Sequence, residues 1–292
     1  MRQFAAIILA VLILGILLCK AGATSHNYAR ASQTKLIPAR KAYLGFDRND
    51  YPGGATLSSL RRTFSFSGYW LNPPPGETST TWKGKRRFLL SNGFGFLVLF
   101  NGRLEKELES NSFAKALATK DAAAAVAAAI EEGFPRGTVI FLDQEEGGRL
   151  TAQQRAYVFS WADDVTASGY RAGIYCSGIP AAEVKGEAIV TANDIKEHSD
   201  GRKLVYFVYN DACPPSLGCE LAKILPPPSA SGVPFATVWQ FAQSPRRSDF
   251  TARCAATYSA DGNCYAPSLP GKEQVYLDLD SATSPDPSGG RD

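Results

Sequence analysis

Eight short apolar runs recur along the chain: Ala42–Phe46, Phe64–Leu71, Phe94–Phe100, Thr138–Leu142, Ala172–Cys176, Leu204–Tyr209, Phe235–Phe241 and Val275–Leu279. Several are continuous rather than alternating, the pattern of strands covered on both faces. Helical stretches lie between some of them. Asp121 to Glu132 is rich in Ala and stops at Gly133, a strong helix former followed by the residue that best adopts a left-handed C-terminal turn. Thr151 to Ser168 opens on Thr151-x-x-Gln154, a capping box, and Gly169 follows its end. Strands alternating with helices over about 240 residues predict an α/β fold, a (β/α)8 TIM-type barrel. The helices after the first, second and seventh runs are poorly marked, so the expected barrel is irregular, with some helices shortened.

Composition narrows the chemistry. The chain has 292 residues, 45% of them hydrophobic, enough to bury a large core and to exclude global disorder. Its formal net charge is only +3, and the basic residues are scattered, which argues against a nucleic-acid partner. His26 and His198 are the only histidines, so a His-rich metal site is excluded and a Ser-His-Asp triad would need one of these two. His198 sits in the polar stretch DIKEHSDG and reads as solvated. Chemistry is thereby pushed onto carboxylates, and neither a metal nor a cofactor is expected.

The first segment reads as a leader. Arg2 supplies a positive start, Phe4 to Leu18 is an unbroken apolar run, and Ala21-Gly22-Ala23 is a small-x-small cleavage pattern. The apolar run is short for a membrane span, which needs about 20 residues. The expectation is a Sec-type signal peptide over residues 1–23, with an uncleaved anchor as the alternative. Only that alternative would place the protein on a membrane. Cys19 follows Leu17-Leu18, where a lipidation site wants small residues. Residues 24–40 read as a linker, 41–283 as one barrel and 284–292 (SPDPSGGRD) as a disordered tail. Export implies an oxidising compartment. Of the remaining cysteines, the close pairs Cys213–Cys219 and Cys254–Cys264 are the expected bridges, though spacing leaves the connectivity open. Cys176, inside an apolar run, reads as a buried free thiol with no nucleophilic role.

Acids fall where such a barrel gathers its function, at the C-terminal ends of strands. Asp47 ends the first run (YLGFD), Asp143 and Glu145 the fourth (VIFLDQEE), and Asp278 and Asp280 the eighth (VYLDLD). Strand side chains alternate with period two, so Asp143 and Glu145 point the same way, about 6.5–7 Å apart, as do Asp278 and Asp280. A lone acid at a strand end ordinarily caps it in solvent. Parity-matched acids on three strands converge instead on one barrel mouth. Their mutual repulsion and partial burial raise at least one pKa, as glycoside hydrolysis by a carboxylic acid and a carboxylate requires. Aromatics fall at the same level: Trp70, Tyr175, Tyr209 and Trp239. They read either as platforms for sugar rings or as barrel packing. Gln240, of opposite parity to Trp239, is expected to point away from the mouth.

The set GFD, LDQE, GIY, WQF and LDLD resembles the family 25 glycoside hydrolases, the Chalaropsis-type lysozymes. GFDRNDYPG together with GIYCSG and WQFAQ resembles more closely the exported glycoside-hydrolase-like domain called domain of unknown function 1906. The resemblance spans roughly Ala42 to Ala282. It implies Glu145 as the catalytic acid, Asp143 as its Asp-x-Glu partner, and Asp47 and Asp278 as flanking acids. Asp280 departs from the lysozyme pattern, in which Asn is usual.

These readings combine into one expectation: a secreted, periplasmic or extracellular glycosidase, lysozyme-like, acting on peptidoglycan or a related cell-wall polysaccharide. Glu145, Asp143, Asp47 and Asp278 would be catalytic. Trp70, Tyr175, Tyr209, Trp239 and Asp280 would bind substrate. The competing expectation is a catalytically weak carbohydrate-binding or cell-wall-maintenance protein on the same barrel. A metal-dependent hydrolase with an all-oxygen site is a third.

Overall fold

Runs of Val, Ile, Phe and Leu without polar interruption cannot sit at a solvated sheet face, so they become strands buried on both sides. In the computed structural model, which describes residues 41–183, 186–267 and 275–292, every one of the eight runs contributes to a strand. They are β1 (Tyr43–Asp47), β2 (Phe66–Trp70), β3 (Gly95–Asn101), β4 (Val139–Asp143), β5 (Arg171–Ser177), β6 (Val205–Tyr209), β7 (Val238–Ala242) and β8 (Asp278–Ala282). Together they close a barrel in which β8 returns beside β1, so the expected (β/α)8 architecture holds. A small two-stranded pair, Ala181–Ala182 with Ala188–Ile189, lies outside it.

The helices follow the strength of their signals. The long ones are α3 (Asn111–Glu132) and α4 (Ala152–Ala167). The first begins ten residues before the Ala-rich stretch, because the Ser110 hydroxyl accepts from the Phe113 N–H and caps it. In the second, Thr151 and Gln154 form the expected reciprocal cap. The others are short: α1 (Gly54–Leu60), α2 (Arg86–Ser91), α5 (Thr191–Glu197) and α6 (Ser248–Thr251). No helix among the described residues is long and apolar enough to cross a membrane. The predicted leader and linker, residues 1–40, lie outside the described residues.

Three expectations need correction. The eighth run was read as a strand ending in two acids. Only its last residues enter β8, which runs antiparallel to both β1 and β7. Its earlier part, Val275 to Leu277, pairs with Cys264 to Ala266 instead. Asp278 therefore opens its strand rather than closing it. The antiparallel register still sets Asp278 opposite Asp47, so the acids meet for a reason the parallel reading lacked.

The bridges cross rather than pair near neighbours: Cys213 joins Cys254, and Cys219 joins Cys264, with Cα–Cα distances of 5.9 and 5.2 Å. Each links the loop after β6 to the segment before β8, which pack side by side, whereas proximity along the chain carries no information about that packing. Cys176 is free and buried, as expected.

Residues 284–292 are not a disordered tail. They lie along the N-terminal starts of β3 and β4. Lateral pairing of those strands begins only at Val98 and Ile140, and the tail supplies the missing partners below. The Phe96 N–H donates to Asp286 Oδ1, the Val98 N–H to Ser288 Oγ, and the Val139 N–H to the Ser288 carbonyl. Gly95 permits the approach, because a Cβ there would stand 2.0 Å from the Pro285 carbonyl oxygen. Composition suggested disorder, but the segment is held by the side chains of Asp286 and Ser288 and the backbone of Ser288 on the strand N–H and carbonyl groups.

Candidate functional site

Parity decides which side chains enter the barrel. Phe46 points outward onto Phe64 and Phe94, so Asp47 points in. Gly68 leaves the room it needs: a Cβ there would lie 2.5 Å from Asp47 Cβ. By the same alternation Asp143 and Tyr175 project inward from β4 and β5, and Phe207 and Gln240 from β6 and β7. Around them opens a cavity of about 350 Å³ at the C-terminal ends of the parallel strands. Its wall includes Asp47, Asp143, Glu145 and Asp278, the four acids the sequence singled out as catalytic, with Trp70 and Tyr175 beside them.

A chain of hydrogen bonds fixes the charge of Asp47. The Tyr175 hydroxyl donates to Gln240 Oε1 at 2.7 Å, and Gln243 Nε2 donates to the same oxygen at 2.7 Å. With Oε1 occupied twice, Gln240 must turn its Nε2 to Asp47 Oδ2, at 2.8 Å. Burial pushes the Asp47 pKa up to about 6, and this donor opposes the rise. Asp280 lies beneath it, fully buried, with neither carboxylate oxygen receiving a donor. Burial first, and then the charges of Asp47 and Asp278, hold Asp280 far above the usual carboxylate range. The same causes favour its neutral form, which can donate to Asp47.

The second pair is Asp143 and Glu145. Asp143 is 4% exposed and its Oδ1 has no partner. Burial, then the charges of Glu145 and Asp47, raise its pKa well above the ordinary value. Glu145 stands at the open mouth. Its pKa is raised by burial of the carboxyl against the wall, and opposed by the Arg247 guanidinium and by a hydrogen bond from Asp143. The burial expected from the sequence raises both, and the deeper residue, Asp143, is the more reluctant to ionise. The Tyr209 hydroxyl donates to the Glu145 carbonyl and its ring lies against Tyr175, with 5.3 Å between centroids. At the rim, Asp278 Oδ1 accepts from the Ser244 N–H at 2.6 Å. Burial and the Asp47 charge raise its pKa well above the carboxylate range.

Two expected substrate contacts are misplaced. Trp239 is 1% exposed and faces outward, packing on Phe241 and donating its indole N–H to the Asn210 carbonyl. Gln240 takes the inward place assigned to it. An indole fills the apolar layer outside the barrel, while the amide bridges acids inside. Asp280 is sealed below Asp47 and supports that residue rather than touching the cavity. Gln243, Arg247 and its ion-pair partner Asp211 escaped the sequence reading. The second glutamine of WQFAQ was the available signal for Gln243, whereas nothing local marked Arg247. Among the described residues no group of three His, Cys, Asp or Glu side chains is placed to hold a metal ion.

The (β/α)8 barrel thus gathers its carboxylates in one cavity at the strand ends. Residues 81–204, which include Asp143, Glu145 and Tyr175, match the family model described as Rv2525c-like, glycoside hydrolase-like domain, in accord with the resemblance drawn from the motifs. Similar solved structures include an uncharacterized protein of B. stearothermophilus, at TM-score 0.49 and 16% identity over 82% of this chain and 95% of that one. The Tat-secreted protein Rv2525c of Mycobacterium tuberculosis is similar at TM-score 0.47 and 12% identity, over 86% and 98%. The catalytic domain of endolysin ply40 from bacteriophage P40 of Listeria monocytogenes reaches TM-score 0.45 and 14% identity, over 82% and 92%. No curated protein matches the chain.

Proposed function

We propose that the protein is an exported glycoside hydrolase that cuts a cell-wall glycan of the peptidoglycan type or a related polysaccharide. The observation that carries this reading is the division of labour between two carboxyl pairs facing one cavity. Asp143 and Glu145 hold a proton between them, and only Glu145 reaches the open mouth. Its extra methylene carries that proton to the glycosidic oxygen as the bond to the anomeric carbon breaks, and the water that then adds to that carbon returns a proton to the pair. Asp47 is favoured in its ionised form by the Gln240 donor. It stabilises the oxocarbenium centre as the bond breaks, and Asp278 flanks it. Tyr175 and Trp70 offer broad walls to the sugar. Two disulfides fit an oxidising compartment, and export by the predicted Sec-type signal peptide belongs to the same proposal.

The test is a reducing-end assay on peptidoglycan and chitin-type oligomers with wild type and Glu145→Gln. The variant keeps the shape and loses the transferable proton, so turnover should fall by about 10²–10⁴ while glycan binding persists. Wild type that binds glycan and never cuts it would replace this reading with that of a carbohydrate-binding protein on the same barrel.

A further inference from the structure

We propose that α5 works as a clamp on the proton donor, with Thr191 and Asp194 as positioning residues that hold the loop carrying Glu145 at the barrel mouth. The proposal rests on the reading of Glu145 as the acid. Residues 144–150 join β4 to α4 and lie outside every helix and strand, so no ladder of backbone hydrogen bonds fixes them. The near end of this loop is held by neighbouring strands: the Gln144 N–H donates to the Tyr175 carbonyl, and the Tyr209 hydroxyl to the Glu145 carbonyl. The far end turns at Gly148, whose φ of 96° lies in the left-handed region. There α5, from the crossover between β5 and β6, takes over. The fully buried Thr191 hydroxyl accepts from the Gly148 N–H at 2.8 Å and donates to the Gly148 carbonyl at 2.9 Å. Asp194 Oδ2 accepts from the Leu150 N–H at 3.0 Å.

These contacts differ from ordinary packing in where α5 directs its polar side chains. Thr and Asp at the start of a helix commonly serve that helix, capping its free N–H groups and answering its dipole. No side chain caps α5, whose N-cap position is Val190. Thr191 and Asp194 reach instead to backbone 43 and 44 residues earlier in the chain. The Asp194 side chain has no exposed surface, and the basic groups around it stand farther off than the Leu150 N–H: His198 Nδ1 at 3.4 Å, Arg149 at 3.5 Å and Arg155 at 3.7 Å. Among the described residues, the nearest partner of its carboxylate is therefore the loop backbone. Glu146 adds a third tie, its Oε2 accepting from the Glu105 N–H and from Gln154 Nε2, each at 2.7 Å. Glu145 is thus flanked by residues anchored to the loop after β3, to α4 and to α5, while it lines the cavity itself. A proton donor must stand about 2.6–3.2 Å from the oxygen it protonates, and an error of about 1 Å costs on the order of 10²-fold in rate. Anchoring the loop on both sides of the acid sets that distance and leaves the carboxyl free to act.

The experiment measures kcat and KM separately for wild type, Thr191→Val and Thr191→Ser, by the reducing-end assay on soluble peptidoglycan fragments. Amide hydrogen exchange of residues 144–150 is followed alongside. Valine keeps the volume of threonine and removes both hydrogen bonds to Gly148, whereas serine keeps the hydroxyl. Thr191→Val should lower kcat about tenfold and leave KM within about twofold, the split that marks an interaction acting on the chemical step rather than on binding. Exchange at residues 144–150 should quicken while that of the barrel strands does not change. Thr191→Ser should return kcat to within about threefold of wild type. If the valine variant does not fold, Thr191→Ala removes the same hydroxyl and carries the same expectations. Wild-type kcat in the folded variant, an effect on KM alone, unchanged exchange in the loop, or an equal loss in Thr191→Ser overturns the clamp and leaves the glycosidase reading standing. Wild type that cuts no glycan overturns both together.

Discussion

The two ends of the barrel treat buried polar groups in opposite ways. At the bottom, where β3 and β4 begin, Ser288 is fully buried yet its backbone and hydroxyl are all engaged. Asp286 accepts from the N–H groups of Phe96 and Arg291. At the top, Asp143 Oδ1 and both oxygens of Asp280 have no donor, and carboxyls press on one another without a cation committed to them. Outside the cavity, the buried Asp121 holds Arg103 through two hydrogen bonds and Tyr157 through a third. Buried polar groups that serve stability are satisfied. Asp143, left short of a donor at an open cavity, has the pattern of a functional-site candidate. The contrast marks the top of the barrel as the candidate site without reference to any particular substrate.

Removing the bottom strap should produce the largest effect on stability. Truncation after Thr283 strips partners from the N–H groups of Phe96, Val98 and Val139. At about 1–3 kcal/mol for each buried donor left unsatisfied, roughly 5 kcal/mol is lost. Denaturant unfolding should show most of the stability gone.

Titration of the top comes next. The unfolded chain releases the Asp47 proton near 3.8, and the native protein near 6. Between those values the native state binds more protons, so stability falls as pH rises, by about 3 kcal/mol, and Asp47 contributes no further change above that window. Asp47→Asn should reduce this slope in melts recorded from pH 4 to 7 while the other raised acids sustain the remainder, whereas changes at the bottom should leave it intact. A slope unaltered in the variant would detach Asp47 from it.

Smallest is Ser288→Ala, which removes one acceptor from the Val98 N–H and should cost about 1–2 kcal/mol. The melting temperature should drop while glycan turnover stays at the wild-type value. Lost turnover at unchanged stability would link the two ends, against the separation drawn here.

Much of this arrangement was legible in the chain. Continuous burial made all eight strand segments visible, and period-two alternation brought Asp47, Asp143 and Glu145 to one mouth. The misreadings share a cause. Direction is not written in a strand's own residues, so β8 was read as parallel. Which face of β7 enters the barrel depends on what its neighbours offer. Trp239 looked like a sugar platform, but Asp47 and Tyr175 call for an amide at Gln240. Cysteine spacing measures distance along the chain, whereas the bridges answer to packing. In the tail, Pro, Gly and Asp suggested disorder because composition does not show that β3 and β4 begin with unpaired N–H groups.

The most direct measurement sets stability against turnover in one variant, Asp143→Asn. The substitution keeps the volume and removes the ionisable group that the cavity floor accommodates poorly. Thermal unfolding at pH about 7 should show the variant as stable as wild type, or more stable by about 1–2 kcal/mol, since relief of an active-site strain commonly stabilises. Glycan cleavage should meanwhile fall at least tenfold, with its acidic limb displaced. A variant that melts lower and cuts glycan at the wild-type rate would contradict the account, for Asp143 would then be a structural acid.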